Sequence, residues 1–518
     1  MSASTPTSNP LDQPAYPVKN KALLTVAVMG ATIIQILDST IANVAIPHMQ
    51  TSLGATMDTI TWVLTSYIVA SAVAMPITGW LADRIGSRNL FLGAVAGFIV
   101  ASMLCGIATS LTEMVAFRIL QGVCAAFIGP LSQTIMLDIN KPSDVPRAMS
   151  IWGMGIMIAP ILGPLIGGWL TENYNWRWVF YINLPIGILT LAILWWLLPS
   201  RPINRRELDR FGFAMLAIGL ATLQLLADRG QQEDWLQSWE IIIELLVVLA
   251  ALWMFAMHQM TTRRPMFERL LVTDRNFFIS MNIMLLVGMM IYGIFALLPP
   301  MMQNLYGYTV YDAGVLLAPR GLGIVIAMFI AAKLGTKVDP RIIIFGGFLM
   351  TAASMWMMTS WSLNMDWHLI VYTGLLQGFG MGFIFIPLNS VAFSTLPMRM
   401  RTDASSLLYL FRSLGGSFGI SVMTTMLARN MQTSHEDLAS HVTASSISVV
   451  NPSNADRLGS IGEAAMQMVN LEINRQAAMI AYLDDFKLMM IMLIIVSPLV
   501  FFLKPGKAAP EQQPAMAD

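Results

Sequence analysis

Residues 79–88 read Gly-Trp-Leu-Ala-Asp-Arg-Ile-Gly-Ser-Arg and lie where the second long apolar run of the chain ends. A glycine at the start of this stretch lets a second helix approach closely, and the carboxylate of its aspartate suits the positive N-terminal end of a helix. We expect that partner to be the helix that starts near Asp403. A loop that is merely basic would not require this spacing of glycine and aspartate. The stretch therefore predicts a conformational gate made of Gly79, Asp83, Arg84, Gly86, Arg88 and Asp403.

The composition indicates a membrane protein. Hydrophobic residues make up 56% of the 518 residues, charged residues make up 12%, and the mean hydropathy is +0.64, whereas a soluble domain is about 25% charged. Lys plus Arg and Asp plus Glu both total 30, so nothing favours nucleic acid as a partner. The two cysteines lie in apolar runs, no histidine is placed like a metal ligand, and no phosphate-binding loop motif occurs. We therefore predict neither a metal site, nor a cofactor, nor an ATP-driven or enzymatic reaction.

Fourteen apolar runs are long enough to span a bilayer. Lys and Arg number 21 in the tails and even-numbered loops and 5 in the odd-numbered loops, so the positive-inside rule places both termini in the cytoplasm. The predicted spans are 22–46, 60–82, 90–109, 113–136, 147–170, 178–198, 211–228, 240–258, 277–300, 311–332, 341–360, 367–391, 404–427 and 484–503.

Two halves of six spans repeat one another. Leu120-Gln121-Gly122 with Pro130 recurs as Leu376-Gln377-Gly378 with Pro387, and two further spans between basic, proline-marked linkers separate the halves. Homologous halves are typical of alternating-access transporters, whose substrate site lies between the halves near the midplane. The predicted division is a tail at 1–21, a six-helix bundle at 22–198, linkers and two inserted helices at 199–276, a second bundle at 277–503 with an extracytoplasmic loop at 428–483, and a tail at 504–518.

Asp38 lies deep in the first apolar run and is the leading functional candidate. An ionisable group near the bilayer centre costs about 2.5–3.5 kcal/mol on insertion scales, so such groups tend to mark substrate or proton pathways. The fourth run carries Arg118, with Gln121 and Gly122 on the same helical face. Because a buried guanidinium changes the protonation of a nearby carboxylate, we predict that Asp38 and Arg118 couple protons to conformation. An interfacial acid at position 38 and an arginine bonded only to carbonyls are the structural alternatives.

The fifth run combines small residues with prolines. Small residues every four positions let helices pack closely, and prolines permit a bend. Tight packing without a further role is the alternative. The residues concerned are Gly155, Ala159, Pro160, Gly163, Pro164 and Gly167.

Several of these motifs match a known family. The sequence resembles the major facilitator superfamily at residues 79–88 and at Arg118, Gln121 and Gly122, and residues 159–168 resemble the signature of its drug:proton antiporters. With residues 176–185 added, nearly the whole chain is similar to the fourteen-span EmrB/QacA type, and residues 226–230, 297–300 and 306–308 look nearer to the EmrB branch.

The resemblance implies a fold and a function. It implies an all-α, multi-pass protein of the bacterial inner membrane, made of two six-helix bundles and two inserted helices, that exports lipophilic drugs in exchange for protons with the proton-motive force as its only energy source. It also implies a periplasmic adaptor of the EmrA type and an outer-membrane channel; the 428–483 loop is either a docking site for this adaptor or a solvated connector. The rival readings are a dedicated exporter of a metabolite such as a fatty acid or siderophore, and a membrane sensor or scaffold without transport.

Polar residues in the apolar runs are candidates for the substrate cavity. Arg320 and Arg412 are cations where QacA-like members often use acids, which favours anionic or neutral amphiphiles, although a structural role on backbone carbonyls is the alternative. The predicted cavity residues are Gln35, Asn43, Gln121, Arg320, Gln377, Asn389 and Arg412.

Overall fold

The computed structural model describes residues 13–141, 144–201, 203, 206–230, 233, 235–335, 337–442 and 460–504. In these residues every long regular element is a helix, and fourteen of them form the body of the protein. They are α1 Lys21–Leu53, α2 Trp62–Ile85, α3 Ser87–Ile107, α4 Leu111–Asp138, α5 Val145–Asn173, α6 Trp178–Leu197, α7 Arg210–Arg229, α8 Trp239–Thr261, α9 Arg275–Asn304, α10 Val310–Leu334, α11 Pro340–Met358, α12 Trp367–Ser394, α13 Arg401–Ser440 and α14 Ser460–Val496.

Twelve helices of the described residues are long and apolar enough to cross a membrane, by length and composition. The other two long helices are α5 and α13, with 29 and 40 residues. The helix α8 is apolar but poorly covered by the rest of the protein. Only 17% of its most apolar stretch is buried inside the protein, so the remainder suits contact with lipid. The prediction of an all-helical, multi-pass membrane protein is therefore confirmed.

Local signals set the helix ends. Asn20 caps α1 by accepting a hydrogen bond from the Leu23 amide, and Gly54 ends the helix in the left-handed conformation at φ 63°. Ser110 caps α4 in the same way through the Glu113 amide. Gly86 has φ 88° and makes the sharp turn between α2 and α3, a conformation that glycine adopts without strain.

The helix packing repeats between the two ends of the chain. The contacts of α1 with α5, α2 with α4 and α3 with α4 recur as α9 with α13, α10 with α12 and α11 with α12. The two sets meet through α5 against α10 and α4 against α13. The helices α7 and α8 pack on each other, and α7 lies against α2 and α13.

Two segments outside the predicted spans carry ordered structure in the described residues. Much of the 428–483 segment, predicted as the extracytoplasmic loop, is helical, because α13 continues to Ser440 and α14 begins at Ser460; residues 443–459 lie outside the described part. The N-terminal tail is also partly ordered, since the Tyr16 amide donates to the Asp138 carbonyl at 3.1 Å. In the first case, helix-forming residues continue past the apolar run, and hydropathy alone does not detect them.

Candidate functional site

A buried ion pair joins α1 and α4. Asp38 lies near the midpoint of α1, and Nη1 of Arg118 is 2.6 Å from its Oδ2 atom. Both side chains are fully buried. The attraction between two charges is much stronger at this depth than at a wet surface, and so is the cost of leaving either charge alone.

Two amides complete the surroundings of the Asp38 carboxylate. Gln121 on α4 and Asn183 on α6 each donate an N–H to Oδ1 of Asp38 at 2.9 Å. With Arg118, three donors surround the carboxylate, and each contact is one that an ionised carboxylate accepts. A proton added to Oδ2 would therefore face the Arg118 guanidinium, and a proton added to Oδ1 would face the two amides.

Arg118 is also attached to α2. Its Nε atom donates to the Val63 carbonyl at 3.0 Å, and its guanidinium lies 4.3 Å from the centre of the Tyr67 ring. The arginine thus makes both contacts that the sequence left open, one with an acid and one with a backbone carbonyl. A change in the charge of Asp38 therefore acts on α2 directly, through the Arg118 side chain.

Sequence reasoning missed Asn183 as a member of this cluster. The residue is fully buried, and its amide also donates to Ser102 on α3 at 3.0 Å. The available signal was an asparagine inside the apolar run at 178–198. Its proximity to Asp38, 145 residues away in the chain, results from the crossing of α1 and α6.

The small residues of α5 pack against α1. A Cβ on Gly163 would overlap the Thr40 side chain, two residues from Asp38, and a Cβ on Gly167 would press on Ile41. Gly155 meets Met29 in the same way, and Ala159 is fully buried. This face lets α5 lie close to the helix that carries the ion pair. Pro160 lies on the same helix, and the side chain of Pro164 lies outside the described part.

A second polar network joins the two halves at one end of the bundle. Nε of Arg206, in the linker before α7, is 3.1 Å from Oδ2 of Asp83, and its Nη2 is 2.8 Å from Oδ1 of Asp403. The Trp80 indole donates to the Arg206 carbonyl at 3.0 Å. Burial alone would lower the pKa of Arg206, but the hydrogen bond to Asp403 and the charges of Asp403 and Asp83 outweigh it and raise this pKa, so the bridge stays cationic.

The sequence paired Asp83 with the helix that begins near Asp403, and the structure places Arg206 between the two acids. A Cβ on Gly79 would overlap the Asp403 carboxylate, which explains the glycine. A neighbouring cluster reverses the arrangement, with one acid between two arginines: Asp138 pairs with Arg401 at 3.1 Å and also with Arg201. The basic linker was read only as a boundary, so both of its bridging arginines were missed.

The other two arginines of the predicted gate, Arg84 and Arg88, contact residues of their own half. Arg88 donates from Nε to the Leu198 carbonyl at 2.9 Å and from Nη2 to the Trp195 carbonyl at 2.6 Å. The guanidinium of Arg84 lies 5.3 Å from the centre of the Trp80 ring. These contacts stay within one half and bring α2, α3 and α6 together at this end.

The predicted cavity residues do not form a single group. Gln121 belongs to the Asp38 cluster, and Asn389 accepts a hydrogen bond from Gln133 across the two halves at 2.7 Å. The exposed Asn43 amide donates to the Ser39 carbonyl of its own helix at 3.5 Å. Other members have buried atoms that find no hydrogen-bond partner among the described residues. These atoms are Gln35 Oε1, Arg320 Nε, and both Gln377 Oε1 and Nε2.

Arg412 lies beside the contact between the halves. It is 8% exposed, and its guanidinium is 4.3 Å from the centre of the Tyr409 ring. That ring in turn packs edge-on against Trp152 of the other half, with 6.2 Å between the ring centres, and it fills the space beside Gly129. The Tyr409 ring therefore lies between Arg412 and the surface that α4 and α5 present to the other half.

Comparisons with known proteins agree with this architecture. The model of the Major Facilitator Superfamily matches residues 28–420. The human organic anion transporter MFSD10 (TETRAN) superposes with a TM-score of 0.57 at 14% identity, over 91% of this chain and 99% of its own. A bacterial homologue of the human lysosomal transporter Spinster, in an inward-facing and occupied conformation, gives 0.54 at 15% identity, over 95% and 98% of the two chains. At these identities the two structures show the fold alone.

Curated relatives are more similar in sequence. The multidrug export protein EmrB of Escherichia coli K12 is 35% identical over 93% of this chain and 95% of its own. EmrB of Haemophilus influenzae is 38% identical over 81% and 83%, and the fatty acid resistance protein FarB of Neisseria gonorrhoeae is 35% identical over 94% and 97%. The chain belongs to the major facilitator superfamily, in its EmrB-type branch.

Proposed function

We propose that this protein exports hydrophobic and amphiphilic compounds across the bacterial inner membrane in exchange for protons. The observation that carries the proposal is the Asp38–Arg118 pair, because a fully buried acid and base joined across two helices serve a proton-driven cycle and are costly in a scaffold. Relatives named as multidrug export proteins, at 35% and 38% identity, support the same conclusion. The protein is a transporter and not an enzyme.

Protonation of Asp38 is the coupling step of this proposal. A neutral carboxyl no longer balances the charge of Arg118, so the guanidinium loses its main partner while it still holds the Val63 carbonyl of α2. The close packing of α5 on α1 transmits the movement of α1 to the surface that faces the other half. The Arg206 bridge between Asp83 and Asp403 must then open and reform once per cycle.

We further propose fourteen spans, including α5 and α13, with both termini in the cytoplasm. The excess of basic residues in the tails and even-numbered loops supports this orientation. It also places the Arg206 network at the cytoplasmic side and the helical extensions of α13 and α14 in the periplasm. We propose these extensions, rather than a flexible loop, as the docking surface for an adaptor of the EmrA type that continues to an outer-membrane channel.

A dedicated metabolite exporter is the second candidate. It is favoured by one observation, the 35% identity to a protein named for fatty acid resistance. Both candidates use the same coupling site and differ only in the compounds that enter the cavity. Loss of the gene separates them, since a drug exporter changes a resistance profile and a metabolite exporter changes the excreted compounds.

The function is tested with the full-length protein in vesicles. A pH gradient of one unit stores about 1.4 kcal/mol per proton and sustains about a tenfold substrate gradient if one proton is exchanged. We expect accumulation of a fluorescent lipophilic compound only while this gradient exists, together with release of protons from the acidic side. Transport that is unaffected by collapse of the gradient contradicts the proposal.

Substrate charge provides a further prediction. Arg320 is 6% exposed and has no ion pair among the described residues. Its helix lies so close to the Gln377 helix that a Cβ on Gly378 would overlap the Arg320 carbonyl. We propose that Arg320 and Arg412 favour acidic amphiphiles. Replacing each with Gln is expected to lower efflux of a lipophilic acid by about tenfold, the equivalent of one lost charge contact, and to spare a lipophilic cation of equal size. Equal losses for both compounds contradict this preference.

A further inference from the structure

A cavity of about 520 Å³ lies between α2, α7 and α13, and none of its lining residues belongs to the Asp38 cluster. Its volume is within the range of about 300–1,000 Å³ that is usual for small-molecule sites. Asp228 of α7, Ser421 of α13 and Ile68 of α2 contribute to its walls, so each of the two halves and the inserted pair of helices supplies one side. It is roughly 27 Å from the Arg206 end along α7, at about 1.5 Å per residue.

The deep wall of the cavity carries acceptors without partners. Gln224 is 3% exposed and donates its amide to Ser417 at 2.6 Å, which leaves its Oε1 atom buried with no hydrogen bond among the described residues. The Oγ atom of Ser421, 6% exposed, is in the same state. Buried polar atoms in native proteins are nearly always paired, so these two atoms indicate a ligand that supplies N–H or O–H groups.

The charge of the cavity is negative. Asp228 accepts a hydrogen bond from Thr65 of α2, and its neighbour Arg229 is engaged by glutamates, with Nη1 2.5 Å from Glu240 Oε1 and Nη2 3.1 Å from Glu233 Oε1. No salt bridge to Asp228 occurs among the described residues. The apolar side chains beside it, Ile68 and Ile420, suit a hydrocarbon chain.

We propose that this cavity binds the ammonium group of an amphiphilic amine. Asp228 supplies the charge, Gln224 and Ser421 accept N–H hydrogen bonds, and the isoleucines contact the alkyl part. The same chemistry is offered by a free alkylamine and by the head group of phosphatidylethanolamine. The site is also linked to the coupling cluster, because Thr65 is two residues from Val63, whose carbonyl binds Arg118.

Photolabelling of the full-length protein in vesicles of phosphatidylcholine and phosphatidylglycerol tests the proposal. The probe is dodecylamine with a diazirine near its head group, and the matched neutral probe is the corresponding dodecanol. We expect the amine to label residues near 224–228 and 417–424. Asp228→Asn is expected to lower amine labelling by about tenfold, as a charge-assisted hydrogen bond becomes a neutral one, and to leave the alcohol unchanged.

Further variants guard against loss of folding. Ala227→Phe fills the cavity and is expected to lower labelling by both probes, whereas Glu472→Gln, an exposed acid on α14, is expected to change neither. Replacing phosphatidylcholine with phosphatidylethanolamine suppresses labelling if the lipid is the ligand and leaves it intact if a free amine is. Amine labelling that is the same in Asp228→Asn and the unmodified protein overturns the assignment.

Discussion

Asp38→Asn is expected to abolish uphill transport driven by a pH gradient. In vesicles with a gradient of one unit, the substrate ratio should fall from about tenfold to about one, because a side chain that cannot take up a proton cannot exchange it. Substrate should still equilibrate down its own gradient. The measurement is the accumulation ratio with and without the pH gradient. A variant that retains the full ratio shows that another group carries the proton.

A second variant separates coupling from folding. Asn at position 38 leaves Arg118 buried without a counter-charge, which costs about 3–5 kcal/mol when one member of a buried pair is removed. The double variant Asp38→Asn with Arg118→Gln removes both charges and should restore stability, measured as the melting temperature in detergent. We expect the double variant to remain uncoupled. Recovery of pH-driven transport with recovered stability would show that the pair is structural only.

Arg206→Gln is expected to destabilise the closed form of the end that contains Asp83 and Asp403. Without the guanidinium, two carboxylates face each other with no cation between them, and a penalty of about 1.4 kcal/mol already shifts the closed-to-open ratio by about tenfold. We expect slower turnover with little change in substrate binding. Spin labels at Asn89 and Met398, both exposed and on opposite halves, report the opening as a longer distance in a background without Cys105 and Cys124.

Two further variants test whether the effect of Arg206→Gln is specific to the gate. Adding Asp83→Asn to Arg206→Gln removes one of the facing charges and should partly restore the short distance. Arg264→Gln breaks an ion pair with Glu207 whose members are 73% and 78% exposed, and exposed pairs contribute at most about 1 kcal/mol, so it should have no effect. A distance distribution that Arg206→Gln leaves unchanged means that the two halves are held closed elsewhere.

Much of this protein follows from one-dimensional patterns. The spacing of apolar runs predicts the helices because the cost of inserting a peptide into a bilayer depends on local composition, and the observed bounds of α2, α3, α6 and α7 lie within a few residues of the predicted ones. The depth of Asp38 and Arg118 is predicted on the same basis. Hydropathy does not separate a polar helix from a loop, and for this reason it does not show that α13 and α14 extend beyond their apolar runs.

Only the tertiary structure decided which further polar groups join the pairs expected from the sequence. The sequence alone determined that an acid, an arginine and several amides lie inside a helical membrane protein of two repeated halves. The crossing of α1, α4 and α6 then selected Gln121 and Asn183 as partners of Asp38, and the linker before α7 brought Arg206 between Asp83 and Asp403. Contacts between residues 83 to 197 positions apart depend on how whole helices pack. Helix periodicity shows which residues share a face but not which face of another helix they meet.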